Sequence, residues 1–144
     1  MNRSPELARL VRFYEAINPA TLHEELASVY ATDAHFKDPF NDVKGHGAIA
    51  HIFTHMFHQV NQPSFHVISG IQQDGEAFLT WEFRFRMKRY RTDEQCIRGA
   101  THILFDERGL VTLHRDYWDA AEELYEKLPL LGAFMRMLKR AAAR

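Results

Sequence analysis

Midway along the chain the hydrophobic repeat changes from helical to strand-like, and this switch limits the possible folds more than any other feature. Before it, apolar residues recur at three- and four-residue intervals. Leu7, Leu10, Val11, Tyr14 and Ile17 define a first helix over residues 5–17, with Ser4 and Pro5 as N-cap and first-turn residues. After Asn18-Pro19, the residues Leu22, Leu26, Val29 and Tyr30 define a second helix, capped by Thr21 and ending near Thr32-Asp33. A short extended stretch follows at His35–Pro39, where the proline biases Asp38 away from helix. Ile49, Ile52, Phe53, Met56, Phe57 and Val60 then give a third helix over residues 47–60.

From Ser64 the period is two, and turn signals punctuate it at Asp74-Gly75, Arg91-Thr92-Asp93 and Glu107-Arg108-Gly109. Consecutive antiparallel strands are predicted at 65–73, 76–90, 95–105 and 110–119. The tail from Ala120 is helical again and interrupted at Pro129, with Leu130, Leu131, Phe134 and Leu138 opposite Arg136, Lys139 and Arg140. Helices followed by a strand meander predict an α+β fold, with N-terminal helices packed on a curved antiparallel sheet around a mostly apolar pocket.

A chain of 144 residues is long enough for one core without disulfides or metal, so one domain over residues 1–144 is expected. With 18 Lys+Arg against 19 Asp+Glu the net charge is -1, which supplies no field for nucleic acid or an anionic membrane. No apolar run reaches the roughly 18 residues of a membrane span. The lone Cys96 and the absence of an apolar leader in MNRSPELARLV suggest a reducing cytoplasm. The basic run Arg84, Arg86, Lys88, Arg89, Arg91 alternates with aromatics as a solvated hairpin does, and the basic tail suits a soluble surface helix. His51, His55 and His58 share a helix face opposite the apolar one and lack the glutamate of an H-E-x-x-H site, so no metal is expected there.

The final strand carries the chemistry. Alternation puts His114, Asp116 and Trp118 on one face and Leu113, Arg115 and Tyr117 on the other. Strands are depleted in Asp, and a half-buried carboxylate requires a partner, so this face is either a polar edge or a site. The strand at 76–90 also has two unlike faces: Leu79, Trp81, Phe83, Phe85 and Met87 against Thr80, Glu82, Arg84 and Arg86. If the polar face lines the pocket, the aromatic one needs a second subunit; the alternative puts Trp81 and its neighbours inside.

The string His114-Arg-Asp-Tyr-Trp-Asp119 after Gly109 resembles the last strand of limonene-1,2-epoxide hydrolases and of SnoaL-like polyketide cyclases. Both belong to the nuclear transport factor 2-like superfamily, which includes the ketosteroid isomerases. Tyr30–Pro39 is similar to that superfamily's helix-to-strand junction, and Phe13–Asn18 to the end of its first helix. The resemblance implies a cone-shaped α+β barrel, sheet-mediated homodimers, no cofactor, and a small apolar ligand of polyketide, terpenoid or steroid type. It also implies that Asp116 is a general base or acid, and that Asp38 matches a proton-shuttling or water-holding position. Two carboxyls facing one apolar cavity would raise a pKa toward neutrality, where a group both takes and gives a proton.

Departures from the family pattern narrow the chemistry. The isomerases' phenolic and carboxylic hydrogen-bond donors fall at Phe13 and Thr101, which argues against steroid isomerisation. The epoxide hydrolase's water-holding tyrosine falls at Phe36, and its charged strand pair falls at Glu82 and Arg84 with the signs exchanged, leaving an Asp116–Arg84–Glu82 relay as the possibility. A partner histidine is expected at His114 rather than His102, with the simplest strand pairing putting Thr101 beside His114. The residues therefore predict acid–base chemistry by Asp116, Asp38 and His114 in a pocket shaped by Trp118, Phe36, Phe40, Arg84, Glu82, Thr101 and Ile103. The competing expectation is a non-catalytic small-molecule-binding or dimerisation domain.

Overall fold

Ser4 starts the first helix as its sequence requires: its hydroxyl accepts the Leu7 backbone N–H at 3.2 Å, and Pro5 occupies the first turn where no N–H partner is needed. The computed structural model describes residues 3–89, 93–123, 137–138 and 140–143. Helix α1 (Pro5–Glu15) and helix α2 (Leu22–Val29) lead directly into strand β1 (Tyr30–Lys37) and the short β2 (Asp42–Lys44). Helix α3 (His46–Gln59) follows, then β3 (Val60–Gln73), β4 (Glu76–Met87), β5 (Glu94–Phe105), β6 (Val111–Tyr117) and the short α4 (Ala120–Glu123). The expected break at Pro129, the apolar stripe at Leu130, Leu131 and Phe134, and the turn at Arg91-Thr92 lie outside the described residues.

The six strands form one curved, unclosed sheet in the order β2-β1-β6-β5-β4-β3. The meander β3 to β6 is antiparallel throughout, as the period-two half predicts. β1 adds to β6 in parallel, a pairing that local patterning does not encode. Curvature comes from β3, whose register shifts between Asn61 and Ser64 and again between Val67 and Ser69; Gln62 there adopts φ 51°. Each extra residue bends the strand and increases its twist.

Helices α1, α2 and α3 cover the concave face, and the core gathers Leu7, Leu10, Leu26, Ile49, Phe53, Leu79, Ile103 and Val111. This packing settles which face of β4 is inner. Leu79, Phe83 and Phe85 are buried, whereas Thr80 and Arg84 are exposed, so the aromatic side points inward and the polar side outward. The expectation that the polar face of this strand lines the pocket is overturned, because three apolar helix faces can be buried only against an apolar sheet face. The outer face carries exposed Ile71 and Phe78 on β3 and β4, and Tyr117 on β6.

Candidate active site

The turn between β5 and β6 sets the register of everything that follows. Asp106 N–H donates to the Leu110 carbonyl, Gly109 turns the chain at φ 78°, and Leu104 faces Leu113 while Phe105 faces Val111. Thr112 is thus an extra residue in β6, and its hydroxyl bonds the Leu104 carbonyl at 3.2 Å. The turn and the one-residue bulge each slide the pairing by one residue relative to the simple hairpin, so that Thr101 faces Asp116 and Ile103 faces His114, instead of Thr101 facing His114. A two-residue slide keeps each side chain on its own face. His102 stays outside, paired with Arg115 across the strands and bonded to Glu76 at 2.7 Å.

On the inner face a continuous polar chain crosses the otherwise apolar core. Trp81 Nε1–H donates to Thr101 Oγ1 at 2.7 Å, and the Thr101 hydroxyl donates to Asp116 Oδ1 at 2.5 Å. His114 Nε2 meets the same Oδ1 at 2.7 Å. On the other side of the imidazole, Nδ1 lies 2.9 Å from the Tyr30 hydroxyl and within hydrogen-bond reach of the Tyr14 hydroxyl, and the two hydroxyls also bond each other. Phe36 stacks on the imidazole at 4.4 Å between centroids, fixing its plane. No buried side-chain nitrogen or oxygen among the described residues lacks a partner.

His114 is 1% exposed, whereas the Asp116 side chain is 17% exposed. Among the described residues, both of the Asp116 side-chain hydrogen bonds fall on Oδ1, which leaves the Oδ2 lone pairs for another group. Asp116 stands at a junction. Inward is a cavity of about 30 Å³ walled by Tyr14, Phe53, Phe65, Val67, Leu79 and Trp81, with Thr101, His114 and Asp116 as its polar end. Outward is an open crevice of about 580 Å³ between the diverging ends of β1 and β6, bordered by Lys37, Asp38, Pro39, Arg115 and Trp118. Burial, above all, pushes the Tyr14 and Tyr30 phenols far above the usual tyrosine range, with the nearby Asp116 carboxylate adding to the effect.

The residues named from sequence divide into three groups. His114, Asp116 and Thr101 are bonded together, with Phe36 and Ile103 packed around them. Asp38 lies on the crevice but makes no hydrogen bond to Asp116; its carboxylate accepts the backbone N–H of Phe40 at 2.8 Å and of Asn41 at 2.7 Å, closing its own turn. Phe40 and Trp118 meet edge to face at 5.6 Å beside it. Glu82 and Arg84 lie on the outer sheet face, where Arg84 bridges Glu82 at 3.4 Å and the Cys96 thiol donates to Glu82, holding that carboxyl below its ordinary range. The relay Asp116–Arg84–Glu82 is therefore not assembled: adjacent in-out alternation sends these charges to the side opposite Asp116.

Tyr14 and Tyr30 are the site residues that pattern reading passes over, since each continues the apolar period of a predicted helix, although Tyr30 opens β1. The signal was their hydroxyls, because a fully buried tyrosine needs a hydrogen-bond partner. Phe13 supplies no hydroxyl, as expected, but its neighbour Tyr14 reaches the polar chain from one turn face over, with Phe13 packed edge-on at 5.4 Å.

His51, His55 and His58 are exposed, with the His51 and His55 rings stacked at 6.2 Å. Among the described residues, no three metal-ligating side chains converge, and no helix is long and apolar enough to cross a membrane.

Comparison with known proteins agrees with this architecture. No curated protein matches the sequence significantly. Solved structures of similar fold include a protein of ketosteroid isomerase-like fold from Catenulispora acidiphila, in complex with trimethylamine, at 12% identity and TM-score 0.72, covering 85% of this chain and 92% of that one. A candidate SnoaL-like polyketide cyclase from Jannaschia sp. CCS1 matches at 10% identity and TM-score 0.71, with 85% and 93% covered. TerC, co-crystallised with polyporic acid, matches at 14% identity and TM-score 0.69, with 83% and 95% covered. The family model for the SnoaL-like domain matches residues 10–114, a span that runs from within α1 through α2, α3 and the sheet up to His114. The chain belongs to the SnoaL-like family of the nuclear transport factor 2-like superfamily.

Proposed function

We propose that the protein is a cofactor-independent enzyme that acts by general acid–base catalysis on a small, largely hydrophobic organic molecule, with Asp116 Oδ2 as the proton-transfer atom. The observation that carries this reading is the division of labour on one carboxylate. Oδ1 is held by Thr101 and His114, while Oδ2 has no hydrogen-bond partner among the described residues and the Asp116 side chain borders both an apolar cavity and an open crevice. A carboxylate fixed in this way is oriented without being neutralised, and a general base must be both positioned and accessible. His114 and Thr101 orient it, while Trp118, Phe40 and Asp38 border the approach.

Without the Arg84–Glu82 relay, the version best supported is cyclase- or hydratase-like, with proton removal from carbon beside a carbonyl before ring closure, or from water as it adds to the substrate, rather than epoxide opening. The organic molecules bound to two similar structures support a small-molecule ligand. The exposed apolar residues Ile71, Phe78 and Tyr117 on the outer sheet face support a homodimer through that face.

A second reading rests on the cavity size. About 30 Å³ holds roughly a water molecule and is far below the roughly 300–1,000 Å³ of ordinary ligand pockets, as suits a domain whose polar chain serves only its core or a dimer.

The test is hydrogen exchange. A panel of hydrophobic β-keto esters and cyclic ketones is incubated with the protein in D₂O, and deuterium gain at the α-carbon is followed by NMR. The enzyme reading expects protein-dependent exchange that falls about 10²- to 10⁴-fold in Asp116→Asn. Absence of both binding of the panel and exchange in the wild type supports the second reading instead.

A further inference from the structure

Behind the imidazole of His114, the hydroxyls of Tyr14 and Tyr30 and the ring nitrogen Nδ1 form a closed triangle, each atom within hydrogen-bond reach of the other two. Both tyrosines are buried, Tyr14 at 7% and Tyr30 at 0% exposure, and among the described residues their hydroxyls have no further partner. Counting hydrogens then decides how the triangle is filled. If Nδ1 carries only its lone pair, one hydroxyl donates to it and the second donates to the first, so both hydrogens are used. If Nδ1 carries a proton, three hydrogens must share the two phenolic oxygens. One O–H is then stranded in the core, an arrangement that native interiors avoid.

We propose that Tyr14 and Tyr30 are positioning residues that hold His114 as the neutral Nε2–H tautomer, so that the imidazole donates to Asp116 Oδ1 and Oδ2 is the oxygen that takes the substrate's proton. The proposal deepens, and rests on, the assignment of Asp116 as the proton-transfer group. In the step itself a C–H bond breaks, the proton goes to Oδ2 to give the carboxylic acid, and the electron pair remains on the substrate as its enolate. His114 neither gains nor loses a proton.

Both phenols suit the part, since burial pushes their ionisation far upward and keeps them donors across the working pH range. The titratable groups in contact with His114 are Tyr14 from α1, Tyr30 from β1 and Asp116 from β6. Phe36, stacked on the ring, adds none.

The experiment reads the tautomer directly in the unliganded protein. Long-range ¹H–¹⁵N correlation spectra of ¹⁵N-labelled protein distinguish protonated from bare ring nitrogens, and the His114 signals are assigned by their loss in His114→Gln. At neutral pH, wild-type His114 is expected to show a protonated Nε2 and a bare Nδ1. In the Tyr14→Phe, Tyr30→Phe double variant the bare Nδ1 loses its donors, so the preference for the Nε2–H tautomer is expected to relax and a fraction of His114 to show a protonated Nδ1.

A wild-type His114 that is protonated on Nδ1 at neutral pH overturns the proposal. So does a double variant with native circular dichroism and an unchanged tautomer. If the double variant does not fold, the wild-type spectrum decides alone. Failure of the underlying acid–base reading looks different: the tautomer is as stated, yet no compound of the exchange panel is turned over and Asp116→Asn changes nothing.

Discussion

At the residue scale, the polar chain from Trp81 to Tyr30 is a set of groups that are individually costly to bury and satisfied only together. Removing one member strands its neighbours. His114→Ala leaves the Asp116 carboxylate short of one donor and the tyrosine pair without its acceptor, and each such buried group costs about 1–3 kcal/mol. Chemical denaturation is expected to show a loss of that size or somewhat more, and a change under about 0.5 kcal/mol, the level of an ordinary surface substitution, refutes the network's energetic importance.

The tyrosines also give the protein an alkaline limit. Their folded-state pKa values lie above the unfolded value of about 10, so the native state holds these protons when the unfolded state releases them. Their contribution is complete below about pH 10 and declines as pH rises through and beyond it, by as much as about 1.4 kcal/mol per pH unit for each phenol. Tyr14→Phe is expected to flatten the alkaline arm of a stability-versus-pH curve by one proton's worth of slope.

At the scale of elements, the site depends on one close cross-strand approach and on one irregular turn. Trp81 lies flat across its cross-strand neighbour Gly99; a Cβ at Gly99 would fall within 2.5 Å of the indole. That close approach lets Nε1 reach Thr101, which in turn bonds Asp116. Gly99→Ala is therefore expected to displace the indole, cost about 1–3 kcal/mol by overpacking, and alter the fluorescence of Trp81, one of only two tryptophans in the chain. An unchanged emission spectrum counts against this account.

The irregular turn is the one between β5 and β6. Gly109 adopts φ 78°, and Gly109→Ala is expected to cost roughly 1–2 kcal/mol in thermal or denaturant unfolding. Existence and order of the helices and the four meander strands were legible in the sequence, because hydrophobic period is a local property. The register of β5 on β6 was not, because one extra residue at Thr112 is invisible to alternation yet moves every facing pair.

For the whole molecule, α1, α2 and α3 cover one face of the sheet, and exposed apolar residues lie on the other. Ile71 faces Phe78 across β3 and β4, Phe78 stacks on His102 at 4.6 Å, and the Arg115 guanidinium lies 4.8 Å over the Tyr117 ring. An apolar patch of this kind suits a second copy of the chain. Sedimentation equilibrium is expected to find a dimer that Phe78→Lys converts to monomer with the fold intact. A wild-type monomer at micromolar concentration removes the homodimer from the proposal.

The sequence by itself determined the α+β class, the strand that carries His114 and Asp116, and their placement on a common face, since each of these follows from periodicity within one segment. Only the tertiary structure decided that β4 turns its aromatic side inward, that Glu82 and Arg84 lie outside, and that Asp38 closes its own turn instead of reaching Asp116. It also decided that Tyr14 meets His114, a contact between residues 100 positions apart. Such contacts are set by the phase of a helix against a strand it packs on and by the sum of bulges and turns between them. No local pattern records either quantity.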